Sequence, residues 1–245
     1  MNRKQVEADR ASASQTCESP AETFHKEFRQ EVRLQTSLLT PLERRCLAWL
    51  AARLPERVNS DHLTLLGFLS TLGSAACYAV SRLWAPAIIL SCVFIAMNWF
   101  GDSLDGTVAR ARNKQRPRYG YYVDHVIDAL GILAIVCGLA AGGLMTWTFA
   151  LAFLVLLYLL FIDVYLATHA LGIFRMSFFK LGPTELRVLL AIGSLRAMLK
   201  PTVRLFGQSY LLFDVAVVVA IVVISIMVIA SVLRNTVALY RAERI

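Results

Sequence analysis

Charge is scarce in this sequence. Asp, Glu, Lys and Arg make up 17% of its 245 residues, 57% are hydrophobic, and the mean hydropathy is +0.58. That scarcity excludes an ordinary soluble domain. Cysteine spacing of the CxxC kind is also missing. The five cysteines, at positions 17, 46, 77, 92 and 137, are scattered, which excludes a disulfide framework or a zinc knuckle. Three of them sit in apolar runs and read as small apolar residues. The alternation of a membrane barrel is absent, and so is any internal repeat. No basic, aromatic-interleaved module is present, so the net charge of +8 does not indicate a nucleic-acid partner. Basic loops beside membrane helices account for it. The first thirty or so residues are too polar for a cleavable signal peptide.

What is there is a series of long apolar runs. Residues 1–39 read as a polar, disordered tail. Residues 40–245 read as one all-α membrane domain: a bundle of six transmembrane helices preceded by an amphipathic helix. Spans are expected near 62–82, 86–109, 120–141, 146–168, 184–200 and 211–233, each close to the ~20 residues that cross a bilayer. The fifth is the weakest, because Arg187 and Arg196 interrupt it. Over residues 40–55, TPLERRCLAWLAARLP, Thr40, Pro41 and Glu43 form a capping box, and Leu42, Cys46, Leu47, Leu50 and Leu54 share a face. This segment is expected to lie in the cytoplasmic interface, with an ordinary helix packed on protein as the alternative. Arg110, Arg112, Lys114, Arg116 and Arg118 between the second and third spans put that loop, and both termini, in the cytoplasm. Arg196, Lys200 and Arg204 run against that orientation.

The stretch DSLDGTVARARNKQRPRYGYYVDHVID, residues 102–128, joins two of these runs and places four aspartates at their ends. Carboxylates are costly there and call for a partner. At 3.6 residues per turn, Asp102, Asp105, Gly106 and Ala109 fall within roughly 100° of arc. Gly120, Asp124 and Asp128 follow at i, i+4, i+8 on the next helix. A short loop should make the two helices antiparallel neighbours, so the acidic faces meet. Four carboxylates that close need a counter-charge, and all-oxygen ligation suits a hard divalent cation such as Mg²⁺, Mn²⁺ or Ca²⁺. Gly106 and Ala109 leave room for a ligand, and Arg110 is placed to pair with a phosphate. A cation transporter is the competing class, and a scaffold with a structural acidic cluster is a third. A transporter wants its carboxylates at mid-membrane without a basic loop beside them. A scaffold needs neither the glycines nor Arg110.

The pattern D-x2-D-G-x2-A-R…G-x3-D-x3-D, carried by Asp102, Asp105, Gly106, Ala109, Arg110, Gly120, Asp124 and Asp128, resembles the signature of the CDP-alcohol phosphotransferases (CDP-alcohol phosphatidyltransferases). The resemblance covers about residues 40–235. It implies transfer of a phosphoalcohol group from a CDP-alcohol to a second alcohol with release of CMP. It also implies a homodimer and membrane lipid as partner. Asp102, Asp105 and Asp124 would hold one or two divalent ions. Asp128 would sit at the metal and take the proton of the attacking hydroxyl. Gly106, Ala109, Arg110, Arg118 and Gly120 would cradle the CDP, with Asp61 and Thr64, in the segment NSDHLTLLGFL, approaching it from the first span. Two departures stand out: nine residues rather than eight separate Arg110 from Gly120, and Pro117 replaces a common Ser or Thr.

The chain's modest length favours a CDP-diacylglycerol donor and a polar acceptor such as glycerol phosphate, inositol, inositol phosphate or serine. The Asp124-His125 pair resembles the other branch, which joins CDP-choline or CDP-ethanolamine to diacylglycerol. Arg175, Lys180 and Arg187 cluster on the expected cytoplasmic side and, with His125, are candidates for the acceptor; headgroup contact is the blander account. Asp163 and Asp214 are expected as hydrogen-bonded structural groups. A bacterial inner membrane, with the site facing the cytoplasm, is the expected setting.

Overall fold

In the computed structural model, residues 40–171 and 183–243 are described; the tail 1–39 and the basic residues Arg175 and Lys180 lie outside them. Seven helices account for nearly all of the described chain. They are α1 (Thr40–Arg53), α2 (Ser60–Val80), α3 (Ala87–Ala111), α4 (Pro117–Ala141), α5 (Trp147–Leu171), α6 (Pro183–Leu199) and α7 (Leu212–Ala242). Five of them, α2, α3, α4, α5 and α7, are long and apolar enough to cross a membrane by length and composition. The expected fifth span, α6, is not among the five: it has 17 residues, and Arg187 and Arg196 dilute it. The expected sixth span is longer than the sequence pattern suggested. α7 runs for 31 residues, about 46 Å at 1.5 Å per residue.

Helix ends follow local chemistry. α1 stops at Arg53 because Pro55 disfavours helical geometry at Leu54. Asn59 starts α2, its backbone N–H donating to His62 Nδ1 at 3.2 Å. α3 ends on Asn113, whose φ of 54° is left-handed; the N–H of Asn113 bonds Arg110 O and that of Lys114 bonds Ala109 O. α4 then starts at Pro117, earlier than the expected residue 120, with proline in the first helical turn where its missing N–H costs nothing.

One element was not anticipated. Thr202–Leu205 (β1) and Gln208–Leu211 (β2) form an antiparallel hairpin between α6 and α7, with Thr202 opposite Leu211 and Leu205 opposite Gln208. Its two-residue turn has positive φ at both Phe206 (50°) and Gly207 (82°), the geometry that matches strand twist.

α2 is the centre of the bundle. It packs against α3 on one side and α4 on the other, so those two acidic helices are not the direct neighbours that their short connection suggested. The approach to α3 is backbone to backbone: a Cβ on Gly101 would lie 2.6 Å from Leu63 O and 2.7 Å from Gly67 N. The approach to α4 is similar, with Gly138 against Ala75 O and Gly142 against Tyr78 O. Close helix contact through small residues is how apolar helices associate where no hydrophobic drive separates them from lipid. Polar bridges add to it: Ser74 and Ser91 share a buried hydrogen bond of 2.8 Å, and Asn98 Nδ2 donates to Gly67 O and Thr71 Oγ1.

The main apolar core lies toward the bundle end remote from the acids, around Tyr78, Ile88, Leu139, Leu154 and Phe213. A smaller cluster beneath the acidic end unites Leu47 and Ala51 of α1 with Leu63, Leu104 and Val108. α1 therefore packs its apolar face on protein, with Cys46 turned outward. Trp49 is exposed, with the Arg53 guanidinium 3.8 Å from its ring centroid. Arg112 fastens this end further, donating to the carbonyls of Leu54, Pro55, Glu56 and Val58. Asp214 is buried and structural as expected, accepting from Thr146 N at 2.7 Å and Thr146 Oγ1 at 2.6 Å. Asp163 departs from expectation: its Oδ2 is buried without a hydrogen-bond partner among the described residues.

Candidate functional site

Three of the four aspartates converge. Carboxylate oxygens of Asp102, Asp124 and Asp128 lie within 4.8 Å of one another. Asp102 comes from the second half of α3, and Asp124 and Asp128 come from successive turns of α4. α2 lies between these helices, so the oxygens meet across a gap with α2 as its floor. The position of Asp102 is tied to that floor: the residue before it is Gly101, held against α2, and a Cβ on Gly67 would sit 3.3 Å from Asp102 N.

The fourth, Asp105, is one turn further along α3 and belongs to a different set of contacts. Thr64 Oγ1 donates to its Oδ2 at 2.6 Å, and Ser60 Oγ donates to its backbone carbonyl at 3.0 Å. The start of α2 thus fixes both the side chain and the backbone of Asp105. Thr64 was expected at the nucleotide; in this structure it orients an aspartate, and Ser60, which the sequence reading passed over, does the same.

The remaining candidates surround these carboxylates. Gly106 faces Arg110, whose Nη1 would be 3.4 Å from an added Cβ, while Arg110 Nη2 donates to Thr107 Oγ1 at 3.2 Å. Gly120 has open space where a Cβ would stand. Ala109 is half-buried on α3, in the turn after Gly106, and Arg118 lies in the first turn of α4. Asp61, also expected at the nucleotide, forms a salt bridge with Arg116 at the α3–α4 connection, both side chains about half exposed. The Arg116 guanidinium rests 4.4 Å from the Tyr119 ring, and its hydrogen bond to Asp61 raises its already high pKa.

His125 follows Asp124 on α4. Its Nδ1 is 2.7 Å from Tyr121 O, its ring lies 4.1 Å from that of Tyr121, and Tyr165 of α5 meets it edge-on at 5.5 Å. An aromatic wall therefore flanks the carboxylates on the α4–α5 side. On the α3 side, Arg187 of α6 reaches Asp102, with Nη2 2.5 Å from Oδ2.

Three carboxylate oxygens within one cation's reach, with a fourth carboxylate oriented by the Thr64 hydroxyl, form an all-oxygen donor set. That set fits a hard divalent cation such as Mg²⁺ or Mn²⁺ and lacks the soft donors that zinc or copper prefers.

Comparison with known proteins points the same way. The model of one family, described as CDP-alcohol phosphatidyltransferase, matches residues 58–229, from the start of α2 into α7. An archaetidylinositol phosphate synthase from Pyrococcus horikoshii is 36% identical over 90 residues, which is 37% of this chain and 45% of that protein. Another, from Methanothermobacter thermautotrophicus, is 33% identical over 103 residues, 42% of this chain and 49% of that protein. The chain thus spans about half the length of each curated relative it matches.

Proposed function

The chain belongs to the CDP-alcohol phosphatidyltransferase family, and from that premise we propose that it transfers a phosphatidyl-type group from a lipid CDP-alcohol to the hydroxyl of a phosphorylated polyol, releasing CMP. The observation that carries the reading is the meeting of Asp102, Asp124 and Asp128 on two helices held apart by α2. Five apolar helices make the chain a multi-pass integral membrane protein, so a lipid donor reaches the site from the bilayer itself.

Asp102, Asp124 and Asp128 would hold the divalent ion, with Asp105 alongside as the fourth carboxylate. When bound, the ion neutralises the donor's pyrophosphate and stabilises the charge that develops as the phosphoanhydride breaks. The chain's own residues do the rest. Gly120 leaves its side of α4 open to the donor, and Arg110 and Arg118 supply cationic donors for its phosphates. Asp128, the more exposed of the trio, takes the proton from the acceptor hydroxyl as its oxygen attacks the phosphatidyl phosphorus. The bond from that phosphorus to CMP breaks, and CMP carries away the electron pair. Arg187, with Arg175 and Lys180 of the adjoining segment, favours an anionic acceptor. Archaetidylinositol phosphate, named in both relatives, is a product of that kind. Both relatives come from archaea, and the basic residues between α3 and α4 support a cytoplasm-facing site, with the exposed Trp49–Arg53 pair of α1 at the membrane interface.

The test is CMP release by purified protein in detergent, given CDP-diacylglycerol or its ether-lipid counterpart, Mg²⁺ or Mn²⁺, and a panel of acceptors. Release that depends on a phosphorylated polyol and is lost in Asp128→Asn supports the reading. Release only with CDP-choline or CDP-ethanolamine and diacylglycerol moves the protein to the other branch. A response to divalent metal without any nucleotide dependence would favour cation transport.

A further inference from the structure

Arg187 presents a conflict. It sits in the second turn of α6 with its side chain largely withdrawn from solvent, where an unpaired guanidinium is costly, and it resolves that cost on Asp102. The pair is largely withdrawn from solvent, with side-chain exposures of 18% and 30%. Yet Asp102 is also one of the three carboxylates whose oxygens converge. A guanidinium and a divalent cation both seek that carboxylate, and two positive groups so close repel each other.

The rest of α6 does not depend on this contact. Further along the same helix, Ser194 Oγ is 2.6 Å from the buried hydroxyl of Tyr78, Ala191 O accepts from Cys92 Sγ, and Ala197 is buried in the core. Arg187, Ala191 and Ser194 follow at i, i+4 and i+7 and share one face. The helix is therefore docked by its later turns, and the long Arg187 side chain is free to swing without undocking it.

We propose that Arg187 is an exchangeable counter-ion for the carboxylate trio. It pairs with Asp102 while the trio is without a cation. It leaves when a divalent ion takes Asp102, and it then offers its guanidinium to an acceptor's anionic group. The proposal rests on reading the trio as a metal site beside an acceptor. Its consequence is positive coupling: metal occupancy makes the anion subsite available, and by linkage an anion there tightens metal binding.

Mn²⁺ binding to the purified, nucleotide-free protein, followed by electron paramagnetic resonance, tests this without relying on turnover. Arg187→Gln removes the competitor and should tighten Mn²⁺ about fivefold. Inorganic phosphate should tighten Mn²⁺ in the wild type and have a much smaller effect in Arg187→Gln. Arg187→Lys keeps the charge with poorer reach and should fall between the two, and it serves as the test if the Gln variant does not fold. Mn²⁺ affinity that is unchanged or weakened in the folded variants overturns the proposal, as does equal phosphate coupling with and without the arginine. The two readings fail separately. Absent CMP release with every donor and acceptor sinks the phosphotransferase assignment and leaves the Mn²⁺ competition standing. Unaltered Mn²⁺ affinity alongside acceptor-dependent CMP release does the reverse.

Discussion

Gly101 and Gly67 bring α3 and α2 into backbone contact: a Cβ placed on Gly101 would fall 2.9 Å from Gly67 Cα. The atoms it would meet are all main chain and cannot give way. Gly101 also precedes Asp102, so the contact that docks the helices positions a carboxylate of the site.

Gly101→Ala should therefore destabilise the protein by about 1–3 kcal/mol and lower activity beyond what the stability loss explains. Gly193→Ala is the control, because a Cβ there meets only Phe213 ring atoms at 3.5 Å, an ordinary contact. Thermal unfolding in detergent together with CMP release measures both. Equal behaviour of the two variants would disprove the close-contact argument.

Removing carboxylates should separate their roles. Asp128→Asn is expected to slow CMP release by about 10²–10⁴-fold, the usual worth of a positioned base. Asp102→Asn and Asp124→Asn should instead show their loss first in Mn²⁺ affinity. Chelation with EDTA should abolish turnover in the wild type, with recovery on adding Mg²⁺ or Mn²⁺. Turnover that survives chelation would remove the metal from the reaction.

Thr64→Val keeps the shape and deletes the hydrogen bond to Asp105 Oδ2. A hydrogen bond to a charged group is worth ~1.5–3 kcal/mol, so catalytic efficiency should fall about tenfold or more. Thr64→Ser restores the hydroxyl and should recover most of it. If Val behaves like wild type, Asp105 does not need the Thr64 hydroxyl to orient it.

Asp163 offers a prediction of opposite sign. Its Oδ2 is buried and unpartnered beside a cleft of about 150 Å³ lined by Leu166, Val232, Leu239 and others. Asn235 and Thr236 also line that cleft, so Asp163→Asn, which removes the buried charge and keeps a group able to bond to them, should raise stability by about 1 kcal/mol. A drop in unfolding temperature would mean the carboxylate has a partner in the membrane.

The parts of this molecule that were readable from sequence are those governed by helical period. Asp124 and Asp128 at i, i+4 had to share a face, and the long apolar runs had to be helices. The two arginines that weakened the fifth span sit, with Glu185, in the 17-residue α6, the expected span that is not among the five long apolar helices. Lateral packing was not readable. A short link from α3 to α4 implies proximity of their ends, but nothing in Gly67, Thr71 or Ala75 announces that α2 occupies the space between. The hairpin was missed because TVRL and QSYL are too short to show a period, although the lone Gly207 between them was a turn signal. The pairing of Asp61 with Arg116 and of Thr64 with Asp105 depends on which helix faces which. The sequence could nominate those residues but not their partners.

The separation of the carboxylates has one further consequence. The helix that spaces them contributes no acid to the converging trio and touches its neighbours mostly through glycine and small side chains. α2 therefore acts as a shim whose thickness sets the aperture between Asp102 on one wall and Asp124 and Asp128 on the other. One methyl group at Gly67, or one removed at Thr71, where the Gly131 side of α4 leans, would change that gauge without altering any group that binds or reacts. The spacing of those carboxylates is therefore set by residues that carry no charge themselves.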